Sequence, residues 1–231
     1  MNIAIVPARS GSKRIPNKNT HPFLGEPLLG RTIKLLQRSG CFEKIVVSTD
    51  SEDIQELALD YGAEAPFRRP HRLADDFAGT LPVVQHALKW LLSAGFNPAA
   101  ICCVYPTAVF TTENDLARGL DQTSHAGGFV VPLTTFDYPI QRAIKIDEFN
   151  SAKMVDPDLA KERTQDLQTF YHDAGQFYWA TSKTWMEATG ILNSNCTALL
   201  MDRDAVIDID TPADFHLAEL MVNSDPAVIC E

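Results

Sequence analysis

The chain has 231 residues, a formal net charge of -10, and 45% hydrophobic against 22% charged residues; this suits one α/β domain with a sizeable core. The acidic balance argues against a nucleic-acid or anionic-membrane surface, and no apolar run approaches the roughly 20 residues of a membrane span. Met1 leads straight into a strand without room for a signal peptide, and five cysteines (Cys41, Cys102, Cys103, Cys196, Cys230) with no C-x-x-C pair read as reduced and mostly structural, which fits the cytoplasm.

The first element is Ile3-Ala4-Ile5-Val6, an apolar β-branched run that stops at Pro7. Such a run reads as a buried parallel strand. A loop of small and basic residues follows. Arg9, Lys13, Arg14 and Lys18 fall within ten residues, and Ser10, Gly11 and Ser12 let the backbone approach a ligand. Cations and small residues at the carboxyl end of a first strand suit phosphate. Neither a G-x-x-x-x-G-K-S/T loop nor a G-x-G-x-x-G fingerprint is present.

Leu28 to Ser39 reads as a helix stopped by Gly40, and Lys44 to Ser48 as a second buried strand. Asp50 or Ser51 caps a helix reaching Tyr61, with Gly62 as its stop. This β-α-β-α order calls for a parallel sheet with right-handed crossovers. Residues 67–76 are polar and irregular. A helix from about Leu81 to Ser93, a strand Ala100 to Val104, a helix Thr112 to Gln122 and a strand Gly128 to Val131, ended by Pro132, continue the pattern. Residues 138–171 break it, with Pro139, Pro157 and many charges, and read as an excursion holding a hairpin and a short helix. The sheet resumes at Gln176 to Ala180. Ala205 to Ile209 reads as the last strand, and Thr211-Pro212 opens a final helix with Leu217, Leu220 and Met221 on one face.

Asp208 and Asp210 alternate with apolar residues, so both carboxylates point to one face. Side by side they repel unless a cation bridges them, and Mg2+ suits a few carboxylates plus phosphate oxygens. The alternative is that Asp210 merely caps the last helix with Thr211.

The stretch Pro7-Ala8-Arg9-x-Gly11-Ser12-Lys13-Arg14-x-Pro16-x-Lys18-Asn19 resembles the signature loop of the CMP-sialic acid synthetase family. The resemblance covers nearly the whole chain. It implies a three-layer, Rossmann-like α/β domain over residues 1–231 with a mainly parallel sheet, and an inserted arm, 138–171, that reaches across a homodimer. It implies transfer of CMP from CTP to the anomeric hydroxyl of a nine-carbon 2-keto sugar acid, with pyrophosphate released. Arg9, Lys13 and Lys18 are then the catalytic cations. Ala8, Arg9, Ser10, Gly11, Ser12, Lys13, Asn19, Arg69, Ala78 and Thr80 touch the nucleotide, the last three from Arg69-Pro70-x-x-Leu73-Ala74-x-Asp76-x-Ala78-x-Thr80. Asp208 and Asp210 hold Mg2+.

Tyr105-Pro106-Thr107-Ala108 stands where sialic acid enzymes show Gln-Pro-Thr-Ser. Gln141-Arg142 and Asp173-Ala174-Gly175 also depart from their pattern, and the set is similar to the branch of the family that uses pseudaminic acid. Arg142 and Arg163 are expected to clamp the sugar carboxylate. Tyr105, Gln141, His172 and Asp173 would read ring substituents, and Phe177 and Tyr178 the less polar end. Sialic, legionaminic or, last, Kdo-type acceptors are the alternatives. A non-catalytic nucleotide-binding regulator is the alternative of another kind.

Overall fold

A computed structural model describes residues 1–192 and 195–224; Cys230 lies outside the described residues. In chain order the elements begin with β1 (Asn2–Pro7), the two-residue strands β2 (Pro22–Phe23) and β3 (Glu26–Pro27), and α1 (Leu28–Arg38). Then come β4 (Lys44–Ser48), α2 (Glu52–Asp60), α3 (Thr80–Ser93), β5 (Ala100–Val104), α4 (Glu113–Thr123) and β6 (Val130–Thr135). The hairpin β7 (Ile144–Ile146) and β8 (Ala152–Met154) forms its own small sheet. β9 (Tyr171–Asp173), β10 (Phe177–Thr181), α5 (Ser182–Glu187), β11 (Thr197–Leu200) and α6 (Pro212–Ser224) follow.

The main sheet runs β11-β6-β10-β5-β1-β4, with β9 also paired to β6. β9 and β10 run antiparallel to their neighbours and the other five strands share one direction. The sheet is therefore mainly parallel, as expected. Period-2 alternation along β1 builds two cores. Ala4 and Val6 pack with Leu29, Ile33, Ile54 and Leu116 of α1, α2 and α4. Ile3 and Ile5 pack with Val84, Leu88 and Trp185 of α3 and α5. A third, smaller core joins Ile15, Phe23, Phe110, Ile209 and Phe215. It ties the loop after β1 to the segment before α6.

Ends follow from local chemistry. Ser51 caps α2 by accepting from Ile54 N, and Gly62 follows in the left-handed region with φ 82°. Thr112 and Asp115 close α4 with a reciprocal capping box.

Three expectations are corrected, and one strand is added. Residues 205–209 do not form a strand: a 3-10 turn covers Arg203–Ala205 and the rest is irregular. Val206 and Ile209 are buried as a strand's residues would be, yet side chains satisfy the segment's carbonyls. Arg203 donates to Val206 O (3.3 Å), Gln176 to Ile207 O (3.4 Å) and Lys18 to Ile209 O (2.7 Å). The strand that fills the sheet edge is β11, parallel to β6 and unread in the sequence. β6 also runs through Pro132. That residue sits where pairing passes from β10, at Val130, to β9, at Leu133, so no ladder donor is missed. On α6 the buried face is Phe215, Ala218 and Val222, while Leu217 and Leu220 are about half exposed. Phe215 sets that rotation by packing edge-on against Phe23 and His21.

The arm leaves the sheet after Thr135 and returns at Tyr171. Besides its hairpin it holds short 3-10 turns at Ile140–Arg142, Leu159–Lys161 and Thr164–Asp166.

α4 lies close on β10 because position 119 has no side chain. A Cβ there would meet Trp179 Cδ1 at 2.5 Å and Phe177 Cε2 at 3.2 Å, and both rings are fully buried. Gly119→Ala is expected to destabilise the fold by about 1–3 kcal/mol. Gly127→Ala, where a Cβ meets nothing within 4 Å, is the control. Equal denaturant midpoints for the two variants would contradict this packing account.

Candidate active site

At the carboxyl end of β1 and β5 lies a cleft of about 480 Å³. Its floor is the loop after β1. Ala8 N extends the β1–β4 pairing by donating to Ser48 O (2.9 Å). Buried Asn19 then holds the Arg9 carbonyl (2.8 Å), and Asn17 takes the left-handed turn, φ 56°, that starts the Lys18–Thr20 3-10 turn. Ile15 roots the loop in the third core. The basic side chains are thereby left to face the cleft.

Each of the four cations meets an aspartate. Arg9 Nη1 and Lys13 Nζ reach the two oxygens of Asp76 (2.7 and 2.5 Å). Arg14 Nη2 and Lys18 Nζ reach Asp210 Oδ1 (2.9 and 3.4 Å). A third carboxylate grips the loop from behind: Asp50 accepts from Ser10 N (2.9 Å) and Ser10 Oγ (2.8 Å). Sequence reading gave Asp50 only a capping role, which Ser51 performs instead.

Arg69 lies at the cleft wall and is only 4% exposed. It donates to Ser48 O (2.6 Å) and Leu73 O (3.2 Å), while its Nε is buried without a partner. Burial lowers its pKa to about 10, against the opposing pull of Asp50, so it stays cationic at neutral pH. Ala78, Thr80 and Tyr105 complete this side. The Thr80 and Tyr105 hydroxyls bond each other.

Of the residues expected to touch the nucleotide, Arg9, Ser12, Lys13, Asn19, Arg69, Ala78 and Thr80 line the cleft, as does Lys18. Ala8 is fully buried beneath it. Ser10 is turned to Asp50, and Gly11 is exposed at the loop tip.

Asp208 and Asp210 flank buried Ile209, which belongs to the third core. Asp210 faces the cleft. Asp208 opens on a neighbouring pocket of about 560 Å³ with His172, Asp173 and Arg203, which corrects the expectation of one shared face: the segment is not a strand, so its carboxylates do not follow strand alternation. The Asp208 carboxyl is raised above its usual range, first by desolvation and then by Asp210. The cap of α6 is a reciprocal pair. Thr211 N donates to Asp214 (2.7 Å), and Asp214 N donates to Thr211 Oγ1 (3.3 Å). Asp210's carboxylate takes no part in it, and its oxygens are left to the cations.

The two pockets are linked by hydroxyls. Tyr105 packs edge-on against Tyr178 (5.9 Å), and Tyr178 OH donates to Asp173 Oδ2 (2.6 Å). Burial pushes both phenols well above their usual range. His172 Nδ1 lies 2.9 Å from the Asp173 carbonyl, with its ring against Phe136. Phe177 is the correction here: it is fully buried under Gly119 in the main core and offers no surface to a ligand. Strand alternation turns its neighbour Tyr178 into the second core, from which its hydroxyl reaches Asp173.

Gln141, Arg142 and Arg163 stand on the arm, outside both pockets. They bond Gln168 O (2.6 Å), Glu162 O (2.8 Å) and Asp166 (2.6 Å). Asp76 and Tyr178 carry more of the geometry than the sequence reading assigned them. Asp76 was legible as an acid within the nucleotide stretch, and Tyr178 as the strand neighbour of Phe177.

The family model described as cytidylyltransferase matches residues 3–197. The chain is 42% identical over 229 residues to a pseudaminic acid cytidylyltransferase of Campylobacter jejuni, covering 98% of this chain and 99% of that one. It is 32% identical to an N-acylneuraminate cytidylyltransferase of Escherichia coli, covering 94% of this chain and 51% of that one. Among solved structures, a CMP:2-keto-3-deoxy-manno-octonic acid synthetase complexed with CTP shares the fold, with a TM-score of 0.71 at 13% identity over 97% of this chain and 99% of that one. With a family model matched over residues 3–197 and a relative 42% identical over 229 residues, on a sheet whose first loop forms a cationic cleft, the chain belongs to the cytidylyltransferase family.

Proposed function

We propose that this chain transfers the cytidylyl group of CTP to the anomeric hydroxyl of pseudaminic acid, releasing pyrophosphate. The observation that carries the reaction class is the clustering of Arg9, Lys13, Arg14 and Lys18 in one cleft, opposite Asp210. The choice of sugar rests on the similarity to the Campylobacter jejuni protein of that name, at 42% identity against 32% for the N-acylneuraminate relative.

The acceptor hydroxyl attacks the α-phosphorus, and the bond to the pyrophosphate oxygen breaks. Negative charge grows on the leaving phosphates, so cations fixed in advance favour the transition state. Arg9, Lys13 and Lys18 serve that purpose. Asn19 and Asp50 hold the loop that carries them. Arg69, Ala78 and Thr80 wall the base and ribose. Tyr105, His172 and Asp173 face the acceptor.

Asp208 and Asp210 fit Mg2+: the Asp208 carboxyl is raised first by desolvation and then by the charge of Asp210, and a hard dication would relieve both. Bound there, the ion would neutralise charge building on the phosphates.

The chain acts as a cytoplasmic homodimer. Tyr138, Ile144, Ile146, Phe149 and Val155 of the arm are each more than 60% exposed, an apolar surface suited to a second copy. The arm then offers Gln141, Arg142 and Arg163 to the other subunit's acceptor site.

Two tests follow from this reading. Turnover should require a divalent cation, and Asp210→Asn should abolish it while leaving the unfolding temperature unchanged, because Thr211 and Asp214 cap α6. A rate unaffected by chelator would remove the metal role, and a melted variant would restore the capping role. When pseudaminic acid and N-acetylneuraminic acid compete for limiting enzyme and CTP, the pseudaminic product should dominate by at least about tenfold, or about 1.4 kcal/mol. Mass spectrometry resolves the two CMP sugars. Mostly CMP-N-acetylneuraminic acid would overturn the sugar assignment and spare the reaction class.

A further inference from the structure

The cations that the reaction needs are engaged before a nucleotide arrives. Asp76 is notable because its two oxygens are spent on separate cleft cations, Oδ1 on Arg9 and Oδ2 on Lys13. Among the described residues, these two bonds are the hydrogen bonds and ion pairs that tie the tip 75–77 to the rest of the chain. The turn itself does not need them: Asp75 Oδ1 accepts from Phe77 N (2.9 Å) and Ala78 N (2.7 Å). Phe77 beside it is 96% exposed. The tip is therefore a preformed turn resting on the cleft by its carboxylate. It stands between the 3-10 turn His71–Leu73 and α3, next to Ala78 and Thr80 of the cleft wall.

We propose that Asp76 is an internal competitor for the nucleotide's phosphates, a latch that holds the 75–77 tip on Arg9 and Lys13, releases when a triphosphate binds and returns as pyrophosphate leaves. The proposal rests on the reading of the cleft as a CTP site. Arg9 and Lys13 have N–H donors beyond the ones Asp76 takes, but a phosphate seated on the same two cations is an anion beside the Asp76 carboxylate, and the two compete for the same positive charge. Arg9 and Asp76 are each about one-third exposed and Lys13 is 80% exposed, and ion pairs of this kind are individually weak. A polyphosphate carries several times the charge of one carboxylate and displaces it. Lys13, then Arg9, hold the Asp76 carboxyl below its usual range, so the latch is charged at neutral pH. Asp210 makes the same kind of contact with Arg14 and Lys18, but its proposed metal role makes it a poor probe.

The test is equilibrium binding of inorganic pyrophosphate, CTP and cytidine to the full chain and to Asp76→Asn and Asp76→Ala, with thermal unfolding as the control. Pyrophosphate should bind both variants about threefold to tenfold more tightly, the scale of two exposed ion pairs. Cytidine, which lacks phosphates, should bind all three proteins alike. Product inhibition by pyrophosphate should deepen by the same factor as binding. Weaker pyrophosphate binding to the variants would mean that Asp76 orients Arg9 for phosphate, and unchanged binding that the contact has no grip; either overturns the latch. If the unaltered chain binds neither CTP nor pyrophosphate, the nucleotide reading falls instead.

Discussion

The constraint on which the site depends is the pairing of four cations in one loop with carboxylates from other parts of the chain. Like charges crowded into ten residues repel, and a small-residue loop has little side-chain packing with which to resist. Asp76, Asp210 and Asp50 supply the opposing ties, from the tip before α3, the segment before α6 and the end of β4. Exposed pairs of this kind add little to global stability. Their effect is local: they hold the cations in position without burying them, where an incoming polyanion can take them over. The small core around Ile15 and Ile209 gives the arrangement its rigidity, because it roots the loop and the Asp208–Asp210 segment in the same packed residues.

Much of this was legible in the sequence. Short apolar runs bounded by Pro7, Gly40, Gly62 and Thr112 marked β1, α1, α2, β4 and α4, since burial and capping are local properties. The cleft was legible because its four cations sit on one continuous stretch. The failures share a physical cause. An apolar run reports burial, not the partner of its backbone. In residues 205–209 Val206 and Ile209 are buried and the backbone has side chains as hydrogen-bond partners, while β11 fills the edge with a modest sequence signal. Phe177 was misplaced because period-2 alternation leaves open which face of β10 is the main core. The Asp76 and Asp50 contacts span 67 and 40 residues of chain, and no local pattern encodes them.

The acceptor side is built differently. Tyr105, Tyr178 and Asp173 form a partly buried hydroxyl–carboxylate chain between the cleft and the second pocket. Groups of this kind reject an acceptor that leaves them unpaired more strongly than an apolar wall would. The guanidinium groups suited to a carboxylate lie on the arm, Arg142 on the Glu162 carbonyl and Arg163 in an ion pair with Asp166. In the homodimer proposed above, a second copy would bring them to the pocket, and discrimination among sugar acids would then draw on both subunits.

The central claim is that the loop cations read a triphosphate. The most direct measurement is the equilibrium affinity of the chain for CTP against cytidine, taken at low and at high salt. The account predicts CTP tighter by about 100-fold or more at low salt, roughly 2.7 kcal/mol, with the difference shrinking as salt screens the exposed cations. Equal affinities, or a preference that salt leaves untouched, would contradict it.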